Sequence, residues 1–291
     1  MIAAASVFAV GMLAFIIGSE LLVRSAMATD SYETYRTRFR TSPATTIAIG
    51  DSRTAANIHD SDAIENLGQA GDDLATVLAK LMARHARMPL RRVALQADPH
   101  QFAAYRVFKD EDGKLADLTG APPPLALLRP HYRQYLFLYW RVALTEPTRV
   151  WRRASATADK ESAMAVPDPQ GAAWRELASA RVQFHVPISN PSGLKLARSY
   201  LETVARLRRE GVAVCLVTHP VSSAYRAAAE RYPSFAAARA FYDRVAFETG
   251  SKRADYWAGL DDSDFGDTDH LRAATAPAYA RRVLHDCFGD G

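Results

Sequence analysis

The chain has 291 residues, 48% hydrophobic and 23% charged, a balance that excludes a disordered protein and leaves ample material for a core. The formal net charge is +4, and the arginines are spread rather than gathered into basic tracts with interleaved aromatics, which speaks against nucleic acid as a partner. A mildly basic surface suits an anionic membrane face or an acidic polymer instead.

Ile2 to Gly18 is almost unbroken apolar sequence and continues through Leu21, Leu22 and Val23. A helix of this length can span a bilayer, with Glu20 near one interface. Ala26-Met27-Ala28 resembles a small-residue cleavage site, but no basic region precedes the run and the run is long for a signal peptide. Residues 1–28 therefore read as an uncleaved membrane anchor, with a cleaved signal or a core helix as the alternatives. The body of the protein is expected on the periplasmic or extracytoplasmic side. Residues 29–43 are polar, carry Tyr32 and Tyr35, and read as a juxtamembrane linker.

From residue 44 onward the pattern alternates strand and helix. Thr45-Thr46-Ile47-Ala48-Ile49 is a short β-branched run closed by Gly50-Asp51-Ser52, which predicts a buried strand ending in a tight turn. Ala63–Leu67 predicts a second strand. Leu74, Val77, Leu78, Leu81 and Met82 recur at helical spacing, with Asp72 and Asp73 at the helix start. Val93-Ala94-Leu95 predicts a third strand, followed by Gln96-Ala97-Asp98-Pro99-His100. Strand–helix–strand order of this kind implies a parallel sheet with right-handed crossovers.

Residues 108–190 are irregular and read as an insertion. Within it, Leu125–Leu144 is rich in Leu, Tyr, Phe and Trp and predicts helix broken at Pro130. It is expected to cover the sheet, with a surface that leans on the membrane or on a membrane partner as the alternative. Ser155–Pro169 is expected to be mobile. Order returns with a helix over Leu194–Leu207 stopped by Gly211, and with Val212–Val217, the clearest buried strand. Helix follows over Ala224–Ala246, divided at Pro233. A short strand is expected at Asp255–Leu260 and a closing helix through Tyr279, Val283 and Leu284. Cys215 and Cys287 can pair or stay reduced; the apolar run around Cys215 favours a buried thiol.

A serine nucleophile needs a base, the base needs a carboxylate that holds its tautomer, and the attacked carbonyl needs donors at the developing oxyanion. Ser52, His270 and Asp267 are the candidates for the first three roles, all in loops that follow strands. Ser52 and Gly71 are candidate backbone donors of an oxyanion hole. Arg53, Asn66, Asp98 and His100 are candidate substrate-binding residues. His219 is more readily structural. Thr54 stands where the Gly-x-Ser-x-Gly elbow would need its second glycine. The eight histidines show no ligand spacing, so neither a catalytic metal nor another cofactor is expected.

Gly50-Asp51-Ser52, Asn66-Leu67-Gly68-Gln69-Ala70-Gly71-Asp72 and Asp267-Thr268-Asp269-His270 resemble, in order, three sequence blocks of the SGNH hydrolase superfamily. The family's third block, Gly-x-Asn-Asp with its oxyanion Asn, falls between the last two of these and has no counterpart after Leu95, where Gln96-Ala97-Asp98-Pro99-His100 stands instead. With the N-terminal apolar run and Gly-Asp-Ser-Arg soon after it, the pattern looks most like membrane-anchored SGNH-like proteins of exported-polysaccharide acylation. That resemblance covers about residues 44–108 and 190–288. It implies a flavodoxin-like α/β sheet sandwiched by helices, and O-acyl, most simply acetyl, transfer to a polysaccharide through an acyl-serine. A membrane-bound O-acyltransferase is the implied partner. An esterase using the same triad, or a silent scaffold that binds glycan or docks on an acyltransferase partner, are the alternatives.

Overall fold

A computed structural model describes residues 2–27, 31–107, 118–120, 125–129, 132, 136–145, 168 and 171–289. In chain order the elements are α1 (Ile2–Met27), α2 (Ser31–Thr41), β1 (Thr46–Ile49), α3 (Ser52–Asn57), β2 (Glu65–Asn66) and α4 (Leu74–Arg87). There follow β3 (Arg92–Gln96), α5 (Ala104–Val107), α6 (Leu136–Thr145), α7 (Ala172–His185) and α8 (Lys195–Arg209). The chain ends with β4 (Ala213–Thr218), α9 (Ser223–Ala229), α10 (Pro233–Thr249), β5 (Lys252–Asp255) and α11 (Ala276–Phe288). They divide into two compact units, Met1–Ser42 with Glu111–Met164, and Pro43–Asp110 with Ala165–Gly291.

The first unit is helical among its described residues. In α1, Phe8–Ser25 is long and apolar enough to cross a membrane. The segment read as a linker is the helix α2: Tyr32, Tyr35 and Phe39, spaced three and four apart, bury one face of it. Arg129 meets Glu33 at 2.5 Å, and the Tyr132 hydroxyl donates to the same carboxylate at 3.0 Å. Helix α6 was expected to cover the sheet, but it belongs to this unit and packs on α1. Its Trp140 ring stacks on Phe15 with centroids 5.5 Å apart, and the indole N–H donates to Ser19 Oγ at 3.0 Å. An apolar helix finds a partner as readily in another helix as in a sheet, and composition does not distinguish the two. Most of Ser155–Pro169, expected to be mobile, lies outside the described residues.

The second unit is an α/β domain around one five-stranded, all-parallel sheet of order β2-β1-β3-β4-β5. Register aligns Ile47 with Val93 and Val93 with Val214, and likewise Ile49 with Leu95 and Leu95 with Leu216. These branched side chains are all buried, each stabilising the fold by about 2 kcal/mol. The opposite face carries small residues, Ala48, Ala94 and Cys215, in one core with Tyr279, Val283 and Leu284 of α11. The disulfide Cys215–Cys287 joins α11 to β4, correcting the expectation of a buried thiol. Closing a loop of 72 residues, it contributes roughly 4 kcal/mol by chain entropy.

Helix α7 lies inside the stretch read as insertion, yet it belongs to the α/β unit. Ala178 and Val182 pack with Tyr225, Ala228 and Ala229 of α9. Pro233 opens α10, where a missing N–H costs no helical bond. The last strand is Lys252–Asp255 rather than Asp255–Leu260. As an edge strand it needs little apolar sequence, and Asp255 ends it by accepting the Trp257 N–H at 3.0 Å. All five strands point one way, so the loops after them gather along one edge. Strand order reverses between β1 and β3, where open α/β sheets hold their ligands.

Candidate active site

Gly50 carries β1 into a turn that tolerates no side chain. A Cβ there would sit 2.1 Å from Thr54 Oγ1 and 2.2 Å from Gln96 Oε1. Asp51 caps α3, accepting the Arg53 N–H at 2.9 Å. Successive helical residues point about 100° apart. Ser52, first in α3, is therefore half-exposed while Asp51, Arg53 and Thr54 are buried around it.

Three predicted residues come together there. His270 Nε2 lies 3.1 Å from Ser52 Oγ, and its Nδ1 lies 3.0 and 2.9 Å from the two oxygens of Asp267. An ionised carboxylate only accepts, so Nδ1 carries the proton and Nε2 is left as the acceptor for the serine hydroxyl. Asp267 is fixed in turn by the backbone N–H groups of Asp269 and His270 at 2.9 and 2.8 Å. Burial opposes its ionisation, but these bonds with His270 and Arg181 hold Asp267 well below the usual carboxylate range. Burial disfavours the charged imidazole too, yet Asp267 and Asp269 together raise His270 above its ordinary value.

The neighbours of these residues form a second layer. Arg53, adjacent to Ser52, spans to Asp269, adjacent to His270: Nε and one terminal nitrogen each stand 3.2 Å from Asp269 Oδ2. Arg53 lies over the Tyr225 ring and 3.8 Å from Asp98. From α7, Arg181 reaches Asp267 at 3.4 Å and Asp269 at 3.5 Å, and His185 Nδ1 lies 2.8 Å from the Tyr225 hydroxyl. Burial of Asp269 is outweighed by Arg53 and the adjacent histidines, so it stays ionised.

Beneath lies Asp51, fully buried. Gln96 donates to it at 2.8 Å, Gln101 at 3.0 Å and His100 Nε2 at 2.7 Å, and Arg106 lies 2.9 Å away. Burial opposes ionisation, but these groups hold Asp51 well below its ordinary value. Burial and Arg53 lower His100 to about 3, so it is a neutral donor here. A parallel chain runs through Thr54: His219 lies 2.9 Å from Thr54 Oγ1 and 3.1 Å from the Tyr279 hydroxyl, with burial lowering the ring to about 3. Asp98 accepts from Gln96 at 2.6 Å and from the His219 N–H at 2.7 Å. Burial, reinforced by Asp51 and resisted by Arg53, pushes its carboxyl up to about 7.

The four residues named as substrate-binding face protein partners. Arg53, Asp98 and His100 belong to this buried frame. Asn66 donates its amide to the carbonyls of Thr54, Ala55 and Ile58 and accepts the Gly68 N–H, so it closes the end of α3. Gly71 has φ of +84°, a conformation glycine takes without steric cost. In the same loop Gly68 meets α3 so closely that a Cβ would lie 2.5 Å from the Ala55 nitrogen. Sequence reasoning missed Asp51 as a hub, Asp269 as a strut, and Arg181 and His185 altogether. The last two lie on a helix with no motif and reach the site only through folding.

Donor atoms of Asp267, Asp269 and His270 lie within 4.8 Å of one another. Arg53 and Arg181 already occupy the two carboxylates, so a cation there would have to displace guanidinium groups. Comparison of the chain with protein-family models gives no match, and comparison with curated proteins gives none either.

Proposed function

We propose that the α/β unit is an SGNH-type serine acyltransferase or esterase, with Ser52 as nucleophile, His270 as base and Asp267 as its orienting carboxylate. One observation carries this reading: the continuous line from Ser52 Oγ through the His270 ring to Asp267, with every step between 2.9 and 3.1 Å. The strand order 2-1-3-4-5 is the flavodoxin-like order, and Ser52 lies beside its switch point. In the reaction, His270 Nε2 takes the Ser52 proton as Oγ attacks an acyl carbonyl, and the imidazolium then protonates the leaving alkoxide. The backbone N–H groups of Ser52 and Gly71 are the proposed oxyanion donors. A sugar hydroxyl or water then accepts the acyl group from Ser52.

The sequence resemblance extends this reading to acetyl transfer on an exported polysaccharide, with α1 as the membrane anchor and the α/β unit outside the cytoplasm. A membrane-bound O-acyltransferase would be the acyl donor. The disulfide suits an oxidising compartment. The test is acetyl release from an aryl ester with acyl-Ser52 detected by mass spectrometry. Turnover unchanged in Ser52→Ala overturns the mechanism.

A second reading, a silent glycan-binding scaffold, has its own support. The last residue of β3, Gln96, and the segment after it, with His100 and Gln101, turn these side chains to Asp51, which leaves them committed away from an oxyanion. It predicts glycan binding without fluorophosphonate labelling, and strong Ser52-dependent labelling removes it.

A further inference from the structure

Exposed apolar surface is unevenly shared among the described residues. Of sixteen large hydrophobic side chains standing exposed, eight lie on α1 and four more between Leu125 and Leu144, all in the first unit. A membrane-spanning α1 accounts for the first eight. The other four lie outside α1, and the two on α6, Phe137 and Leu144, need a separate explanation, because α6 has only 10 residues, about 15 Å of helix, and cannot span a bilayer.

The position of α6 on α1 is informative. Trp140 docks on Phe15 and Ser19, and a Cβ at Gly18 would lie 3.1 Å from its ring. This is one turn before Glu20, which pairs with Arg24 at 2.7 Å and accepts the Ala126 N–H at 3.0 Å. The first charges of α1, Glu20 and Arg24, thus begin just past the level where α6 sits, and with the uncharged residues 2–19 as the span that level is the one at which the helix meets the headgroup layer. On α6, Phe137 is 82% exposed and Leu144 76% exposed, with exposed Arg141 between them on the same face. Two immersible side chains flanking a cation, beside a tryptophan, is the pattern of a helix lying in a membrane interface. An arginine there keeps its stem in the apolar layer and its guanidinium on phosphate.

We propose that α6 is an interfacial membrane helix, with Phe137 and Leu144 among the acyl chains and Arg141 on anionic headgroups. The inference rests on the reading of α1 as a membrane span. It makes the attachment two-point: α1 crosses and α6 lies flat beside its end.

The test places nitroxide labels on Leu13→Cys, Phe137→Cys, Leu144→Cys and Phe247→Cys of the full-length protein, with Cys215–Cys287 left oxidised. The protein is reconstituted in phosphatidylcholine vesicles containing phosphatidylglycerol. Relaxation by membrane-dissolved oxygen, relative to a water-soluble nickel chelate, should be several-fold higher at positions 137 and 144 than at Phe247, an 89% exposed residue of the α/β unit. It should approach the value at position 13. Values at 137 and 144 equal to that at 247, with 13 still oxygen-dominated, overturn the inference and leave the span intact. A water-like position 13 overturns both. Adding Arg141→Glu should lower the ratio at 137 and 144 in these vesicles; an unchanged ratio overturns the headgroup contact.

Discussion

The surface line Ser52–His270–Asp267 and the frame around Asp51 and Arg53 are built from adjacent residues and differ in every physical respect. The line is half-exposed, has one carboxylate in reach of solvent, and joins Ser52 to His270 through one hydrogen bond. The frame is buried: Asp51, Arg53, Asp98 and His100 have almost no accessible surface and neutralise one another. Buried charge is tolerable only when paired, so the frame cannot lose a member cheaply, whereas the line can lose its chemistry and leave the fold standing. The loops of this site are thus held by compensated charge as much as by apolar packing. That arrangement fixes geometry tightly, because hydrogen-bonded ions tolerate less displacement than methyl groups.

The comparison can be broken at either end. Asp267→Asn should have the largest effect, a fall in ester turnover of about 10⁴-fold, since an amide can hold the wrong imidazole tautomer. Its thermal midpoint should stay within a few degrees, as circular dichroism would report. Asp51→Ala should do the reverse: it strands Arg106 and His100 in the interior and costs about 3–5 kcal/mol, visible as a fall in Tm on the order of 10 °C. Wild-type-like melting of Asp51→Ala would show that the frame does not carry the fold.

Acid should unfold the frame before it affects ionisation of the line's Asp267. His100 and His219 titrate near 3 and His185 is also lowered, all chiefly by burial, so the unfolded chain takes up protons below about pH 6.5 that the fold refuses. Asp98, at about 7 in the fold, works in the opposite sense, since the folded state binds its proton first. The balance is two protons in favour of unfolding. Stability should fall by on the order of 2–3 kcal/mol per pH unit between about pH 5.5 and 4.5, measurable by urea titration. A flat profile over that interval would mean these histidines are not buried neutral.

The smallest expected effects concern the strut that joins the two layers. Arg53→Lys loses the paired contact to Asp269 while keeping the charge, so kcat should drop about tenfold with KM little changed. Asp269→Asn removes a charge that raises His270, so the acid limb of the kcat/KM profile should move to lower pH. An unmoved limb would assign Asp269 a purely structural part.

How much was legible follows from how local each signal is. The Ile47–Ile49 strand, the turn at Gly50, the α4 stripe and the Asp267–His270 pair depend on residues within a few positions of one another. Sequence spacing therefore determined the parallel α/β pattern and the apolar N-terminal helix, whereas the three members of the line were singled out by the resemblance of their sequence blocks to a known family, and only folding brings Ser52 to His270 across 218 residues. Contacts between distant positions left no such trace. Arg53 and Asp269 are 216 residues apart, and Arg181 reaches Asp267 across 86. The choice of α1 rather than the sheet as the support for α6, the pairing of Cys215 with Cys287, and the inward turn of Arg53, Asp98 and His100 were likewise decided by tertiary structure. In each case the residue type allowed more than one partner, and only the packed chain, by excluding water, left it one.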